Sequence, residues 1–297
     1  MPVAQDARDP KDANGSTRVV MLGTGTPRPE PERSGSATAI IVSDTPYLVD
    51  FGAGVIRRAA AAYQKGVTAF GPDAANITTA FLTHLHSDHT MGYPDLMFTP
   101  WLRGRTSLDV YGPKGLAAMT ANIFKAWEVD LHVRTQVGPF RRGACVVRAH
   151  EIEPGIVYED RNVTVTAFPV HHGEALQSFG YRFETKERTI VISGDTTPVQ
   201  SLIDNCRGCD VLIHEAYSIE TYRRDPPSFQ EFRRGHHTSS VELAQIASTV
   251  RPGLLVTYHH STGDAGPAES DTAGVLINEI RQTYTGKVVA ARDLDIY

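Results

Sequence analysis

The sequence predicts a layered α/β fold with sheets covered by helices. Strand-sized apolar runs come first and in pairs, later strands alternate with helical stretches, and neither a repeat nor an interdomain linker interrupts them. A chain of 297 residues with 41% hydrophobic content can bury a large core. Residues 18–297 are therefore read as one domain behind a polar tail, residues 1–17, expected to be disordered.

The first strand is Arg18–Leu22, and it stops at Gly23-Thr24-Gly25-Thr26-Pro27. That stop holds the first two glycines of a dinucleotide fingerprint. Arg28 stands at the third glycine position, however, and Pro29, Glu30 and Pro31 follow, so no helix opens there. A tight turn near an active site is the better reading. Alternation in Ala37–Val42 and Tyr47–Asp50 predicts a hairpin, and Phe51-Gly52-Ala53-Gly54 turns the chain into an Ala-rich helix ending near Gly66. Strand Thr78–Thr83 then leads into a histidine run.

Further strands are expected at Leu108–Tyr111, Val163–Phe168, Phe179–Glu184, Thr189–Ser193, Val211–His214, Leu254–Tyr258 and Lys287–Ala290. Helices are expected near Pro113–Trp127, Pro198–Cys206, Ser239–Val250 and Ala268–Thr283. The polar, Arg-rich stretch Tyr217–Gly235 reads as a long loop over a site.

Bulk properties narrow the function classes. A net charge of -5 argues against a general electrostatic grip on nucleic acid. The apolar runs are too short to span a membrane, and the start lacks an apolar h-region, so a cytoplasmic protein is expected unless a signal peptide was trimmed. Three cysteines do not make a disulfide framework, and the pair Cys206-Arg207-Gly208-Cys209, with no second CxxC, is assigned a structural or neutral role.

The chemistry lies in Thr83-His84-Leu85-His86-Ser87-Asp88-His89. On a strand, side chains two apart share a face, so His84 and His86 can converge on one metal ion. Past His86 the chain leaves the strand, which frees Asp88 and His89 to face a second ion. Ser87 or Asp88 could instead cap a short helix. Three imidazoles and a carboxylate within six positions would repel and desolvate one another without a cation. Nitrogen and oxygen donors without thiolate suit Zn²⁺, with Mn²⁺, Fe or Co as alternatives.

An HxHxDH run after a strand resembles the metallo-β-lactamase superfamily, and the resemblance extends over nearly the whole chain. Leu22–Pro27, Tyr47–Gly52, Val110-Tyr111-Gly112-Pro113 and Phe179-Gly180-Tyr181-Arg182 are similar to the ribonuclease Z and arylsulfatase-like branch. The resemblance implies an αβ/βα four-layer sandwich, two Zn²⁺ (Mn²⁺ or Fe possible) and a homodimer. It also implies the dispersed ligands: His172 in preference to His171, Asp195 as a bridging carboxylate, and His259 in preference to His260. One ion would be held by His84, His86, His172 and Asp195, the other by Asp88, His89, His259 and Asp195, with the pair about 3.5–4 Å apart. Asp88 would also orient or deprotonate the attacking water.

Val211–Ala216 and Gly235–Ser240 resemble the HEAT and HST motifs of the ribonuclease Z branch, whose glutamate and histidine donate a proton together. His237 is thus implied as general acid, held by Glu215. The plainer alternative is that His237 flanks the helix near Ser239 and Glu215 is a buried hydrogen-bonding group. Tyr217 and the inverted Thr238-Ser239 depart from those motifs, and no long Gly/Pro-rich basic arm is found. The expected partner is therefore a small anionic or aromatic ester, with nucleic acid not expected. The expected reaction is hydrolysis of a small phosphodiester or sulfate ester. Another bond (lactone, thioester, amide or activated aryl carbon), transfer-RNA 3′-end cleavage and a non-catalytic metal-stabilised protein are the alternatives. Arg103 and Arg105, in a segment similar to arylsulfatase-like members, are candidate anion contacts.

Overall fold

A computed structural model describes residues 17–137, 143–261 and 272–297. The expected tail lies outside them except for Thr17, which opens β1 (Thr17–Gly23). Alternation in this strand sets the layers. Val19 and Met21 enter one apolar cluster while Val20 and Leu22 enter another, because successive side chains leave opposite faces of a strand.

The first sheet runs in chain order: β1, β2 (Ala37–Val42), β3 (Thr45–Val49), β4 (Thr79–Phe81), β5 (Ser107–Gly112) and β6 (Val146–Glu151). The second runs from β7 (Gly155–Glu159) through β8 (Val163–Val170), β9 (Ser178–Thr185), β10 (Thr189–Ile192), β11 (Val211–Tyr217) and β12 (Leu254–Ser261) to β13 (Val288–Ala290). Pairing changes from antiparallel to parallel along each sheet: β1–β2–β3 are antiparallel and β3–β4–β5–β6 parallel, while β7–β8–β9–β10 are antiparallel and β10–β11–β12–β13 parallel.

Between the sheets, Val19, Met21, Ile40 and Phe81 pack with Val165, Tyr181, Phe183, Ile213 and Val256. The outer face of the first sheet is covered by α1 (Val55–Gln64), α3 (Tyr93–Leu102) and α4 (Leu116–Ala126), which bring Ala59, Met97 and Leu116 to the cluster. The outer face of the second is covered by α6 (Gln200–Asn205), α9 (Ser240–Val250) and α10 (Thr272–Arg281). The result is the αβ/βα four-layer sandwich. Among the described residues no helix is long and apolar enough to cross a membrane.

Several local expectations need correction. Residues 217–235 are not a long loop: Tyr217 ends β11, then α7 (Ile219–Arg224) and α8 (Pro227–His236) follow. Ser218 caps α7 through Glu220 N and Thr221 N, and Pro227 opens α8, so helix signals were present beneath the polar composition. Arg233 is buried, with its guanidinium 3.0 Å from the buried Asp225 carboxylate and over the rings of Tyr217 and Phe229. Such an arginine cannot be recognised from sequence as an interior residue. Strands β6 and β7, and helices α3 and α5 (Glu128–Gln136), escaped the periodicity reading; β6, β7 and α5 are largely exposed, so their apolar pattern is weak. Cys206 and Cys209 are bonded to each other within the turn after α6, a local crosslink in the outer core and not a framework.

Phe81 stands in the middle of the inter-sheet layer, against Tyr111, Tyr158, Tyr181 and Phe183 with ring centroids 5.4–5.8 Å apart. We expect Phe81→Ala to cost about 3–5 kcal/mol in urea unfolding, and Phe81→Leu clearly less, because only the first leaves a large void. Equal losses in the two variants would show that the layer collapses around the gap.

Candidate metal centre

The chemistry-bearing residues gather where strands of the two sheets end on one edge. Asp50 follows β3, His84 follows β4, His172 follows β8 and Asp195 follows β10, while Glu215 and His259 lie near the ends of β11 and β12. His84 and His86 are not on the strand, which ends at Phe81; the loop into α2 (Ser87–Thr90) turns both inward instead. Neither Ser87 nor Asp88 caps that helix, whose N-cap is His86 without a side-chain cap bond. The Asp88 carboxylate is thus released from the rival structural role.

The first group is His84, His86 and His172. His84 Nε2 and His172 Nε2 each lie 3.1 Å from His86 Nδ1. Their outer nitrogens fix their protonation. His172 Nδ1–H donates to the carbonyl of His236 at 2.7 Å. Thr83 Oγ1 donates its only proton to Asp50 Oδ2 at 3.0 Å, so it must accept from His84 Nδ1–H, also at 3.0 Å. Both Nε2 atoms are therefore bare lone pairs aimed at a third imidazole nitrogen. Burial lowers the pKa of all three, His172 to about 4, which keeps them neutral and ready to ligate.

The second group is Asp88, His89 and His259. His89 Nδ1 donates to Asp50 Oδ2 at 2.7 Å, and its Nε2 is 3.5 Å from both Asp88 Oδ2 and Asp195 Oδ1. His259 Nε2 is 3.0 Å from Asp88 Oδ2 and 3.5 Å from Asp195 Oδ2. The same Asp195 Oδ2 also reaches the first group, 3.8 Å from His172 Nε2. Burial opposes ionisation of Asp88 and Asp195, yet the neighbouring His89 and His259 outweigh it and hold both below the usual carboxylate range. His89 Nε2 and Asp195 Oδ1 are buried without a hydrogen-bond partner. Orphaned donor atoms converging from imidazole and carboxylate, with no thiolate among them, fit divalent cations of the Zn²⁺ type.

The tandem histidines separate cleanly. His171 is not in either cluster, whereas His172 is. At the other pair, the β11–β12 register steps from Glu215–Tyr258 to Ala216–His260, leaving His259 as a bulge with φ 48. Its N–H donates to Thr24 O, so the Gly23–Pro27 turn does lie beside the site. His260 points to Thr257 Oγ1 at 2.9 Å, and burial lowers its pKa to about 3.

Glu215 and His237 meet across β11 and the turn after α8. Glu215 Oε1 is 3.2 Å from His237 Nδ1 and accepts from the backbone N–H of Thr196 and Thr238. Burial, reinforced by Asp195, raises Glu215 well above the carboxylate range, and burial lowers His237 to about 4. His237 also shares a cluster with His172 and Asp195, so it flanks the site as well as the helix. By contrast, Arg103 pairs with Asp73 at 3.5 Å, and the buried Arg105 donates to the carbonyls of Ile77 and Met97. Neither arginine bonds to a site residue, and the anion-contact expectation lapses.

Sequence reasoning missed Asp50, which accepts from Thr83 N, Thr83 Oγ1 and His89 Nδ1. The available signal was an Asp directly after a buried strand and before Phe51-Gly52. Gly52 is required there: a Cβ would stand 2.3 Å from the carbonyl oxygen of Asp88.

The chain is similar over most of its length to known proteins. A family model for the beta-lactamase superfamily domain matches residues 45–286. A ribonuclease Z from Mycobacterium sp. (strain KMS) is 31% identical over 256 residues, 85% of this chain and 87% of that one. Among solved structures, a metallo-beta-lactamase fold protein from Bacillus subtilis has a TM-score of 0.67 at 19% identity, covering 95% of this chain and 99% of that one. Human tRNase Z, short form, has a TM-score of 0.64 at 24% identity, covering 94% and 98%. The expectation of a small-molecule substrate to the exclusion of nucleic acid is overturned by the ribonuclease relatives. A net charge averages the whole surface and does not report what one face can bind. By the family match and by these relatives, the chain is a member of the metallo-β-lactamase superfamily, beside its ribonucleases Z.

Proposed function

We propose that this protein is a metal-dependent phosphodiesterase that cuts RNA. The observation that carries the reading is the Glu215–His237 pair standing against Asp195 and His172, a proton-handling group beside two donor clusters. The relatives named ribonuclease Z supply the substrate class.

His84, His86, His172 and Asp195 would hold one divalent ion, and Asp88, His89, His259 and Asp195 a second. Bound there, the ions supply an activated water and neutralise charge developing on the phosphoryl oxygens. The protein's own groups do the rest. Asp88, hydrogen-bonded to His259, has its carboxylate at the site to orient the water and take its proton. Asp50 holds His89 and, through Thr83, His84, so that neither ring rotates when charge moves. Glu215 anchors His237 through Nδ1, which leaves Nε2 to hand a proton to the departing oxygen. The backbone donors of Thr196 and Thr238 keep the glutamate in place.

The test is cleavage of a transfer-RNA precursor transcript and of bis(p-nitrophenyl) phosphate by one metal-analysed preparation. Both activities should vanish on chelation and return with Zn²⁺ or Mn²⁺. Cleavage of the small diester with intact RNA would remove the RNA assignment, and loss of neither on metal removal would remove the mechanism. His237→Ala should lower kcat by about 10²- to 10⁴-fold with metal content retained, the scale of one general acid. In Asp195→Ala the metal content itself should fall; a stoichiometry equal to wild type would contradict the bridging role.

A further inference from the structure

The outer surface of α8 carries three rings in register. Phe229, Phe232 and His236, at i, i+3 and i+7, share one side of the helix. Phe232 lies nearly parallel to Phe229, with centroids 5.8 Å apart at 21°, and closer still to His236, at 4.2 Å and 20°. The column runs directly into the metal centre. His236 meets His172 edge to face at 5.5 Å, and Phe232 lies 5.9 Å from His237, the group assigned to the leaving oxygen.

This column is held rigidly. His236 Nδ1 donates to the Phe232 carbonyl, and the His236 carbonyl receives His172 Nδ1–H. Gly173, with φ 77, makes room for the imidazole: a Cβ there would stand 2.4 Å from His236 Nε2. One turn on from Phe229 and on the same face of α8, the buried Arg233 lies over the rings of Phe229 and Tyr217 and anchors that end of the column. Yet Phe232 itself is 41% exposed. A large ring fixed in place, half uncovered and one contact from a reacting group is a surface built for another flat ring. An exposed ring beside a reacting group suits a single strand of nucleic acid, since every base offers a π-face.

We propose that Phe232, backed by Phe229 and His236, is the stacking platform for the nucleobase next to the scissile phosphodiester. The inference rests on the RNA reading above and names a subsite for it. The platform recognises an unpaired base by its face, so it tolerates any base but needs one.

The experiment uses the metallated full-length protein and single-stranded RNA with 2-aminopurine placed at each position flanking the cut, beside matched RNAs abasic at that position. Fluorescence quenching on binding is read without turnover. In the wild type, one flanking 2-aminopurine should be quenched. In Phe232→Leu that quench should disappear and KM for base-containing RNA should rise about 10-fold, the scale of one lost base–aromatic stack. The abasic RNA should not distinguish the two proteins, and Phe232→Trp should restore both signals. Because Phe232 is exposed, matching melting temperature and metal content in the variants separate binding from folding. Equal KM losses on base-containing and abasic RNA, or a persistent quench in Phe232→Leu, overturn the platform. A sedimentation shift in Phe232→Leu without any base dependence would assign the ring to self-association and also overturn it. Wild-type protein that quenches 2-aminopurine but cuts no RNA would instead sink the functional reading while leaving the platform standing.

Discussion

The buried carboxylate of Asp50 is the constraint on which the centre depends. It takes three donors at once, from Thr83 N, Thr83 Oγ1 and His89 Nδ1. Through Thr83 it also sets which nitrogen of His84 carries the proton. One charged group thus fixes a ring in each donor cluster, and it can do so because Asp50, in a left-handed conformation with φ 59, turns back from β3 toward the loop after β4. A charge-assisted acceptor with several donors is strong in a dry interior and costly to leave unmatched, which ties these loops together.

Two strained residues lie at the same place. Asp50 and His259 are both non-glycine residues at positive φ, each a state costing of order 1–3 kcal/mol. At His259 the strain has a visible product. The bulge in β12 lifts one histidine out of the ladder toward Asp88 and leaves its neighbour His260 in the wall. The surrounding sheet over-determines the distortion: the strand is pinned on one side by β11 and on the other by β13, with the His259 amide bonded to Thr24.

The α7–α8 segment performs a second kind of positioning. It delivers the His236 carbonyl to His172 and the His237 ring to Glu215 from one helix end. The ion pair between Arg233 and Asp225 is fully buried, an arrangement that favours one geometry strongly even where its net stabilisation is small. The helix end therefore joins a contact to the first donor group, a contact to the buried Glu215 and an exposed aromatic edge.

By itself the sequence determined the periodic elements and the dense motif. The apolar run Arg18–Leu22 and the alternation in Ala37–Val42 and Tyr47–Asp50 marked the opening strands, and six positions holding three histidines and an aspartate declared a cation site, because such a cluster is unfavourable without one. The dispersed members His172, Asp195 and His259 were found through family resemblance, since nothing local distinguishes them. What only the tertiary structure decided was long-range: that His84 and His86 converge from a loop, that residues 217–235 are helical around an interior arginine, and that Asp50 binds residues 33 and 39 positions away. The physical reason is that hydrophobic periodicity is a property of neighbours along the chain. A buried polar contact is a property of two distant segments, and its residues look like ordinary surface until both are in place.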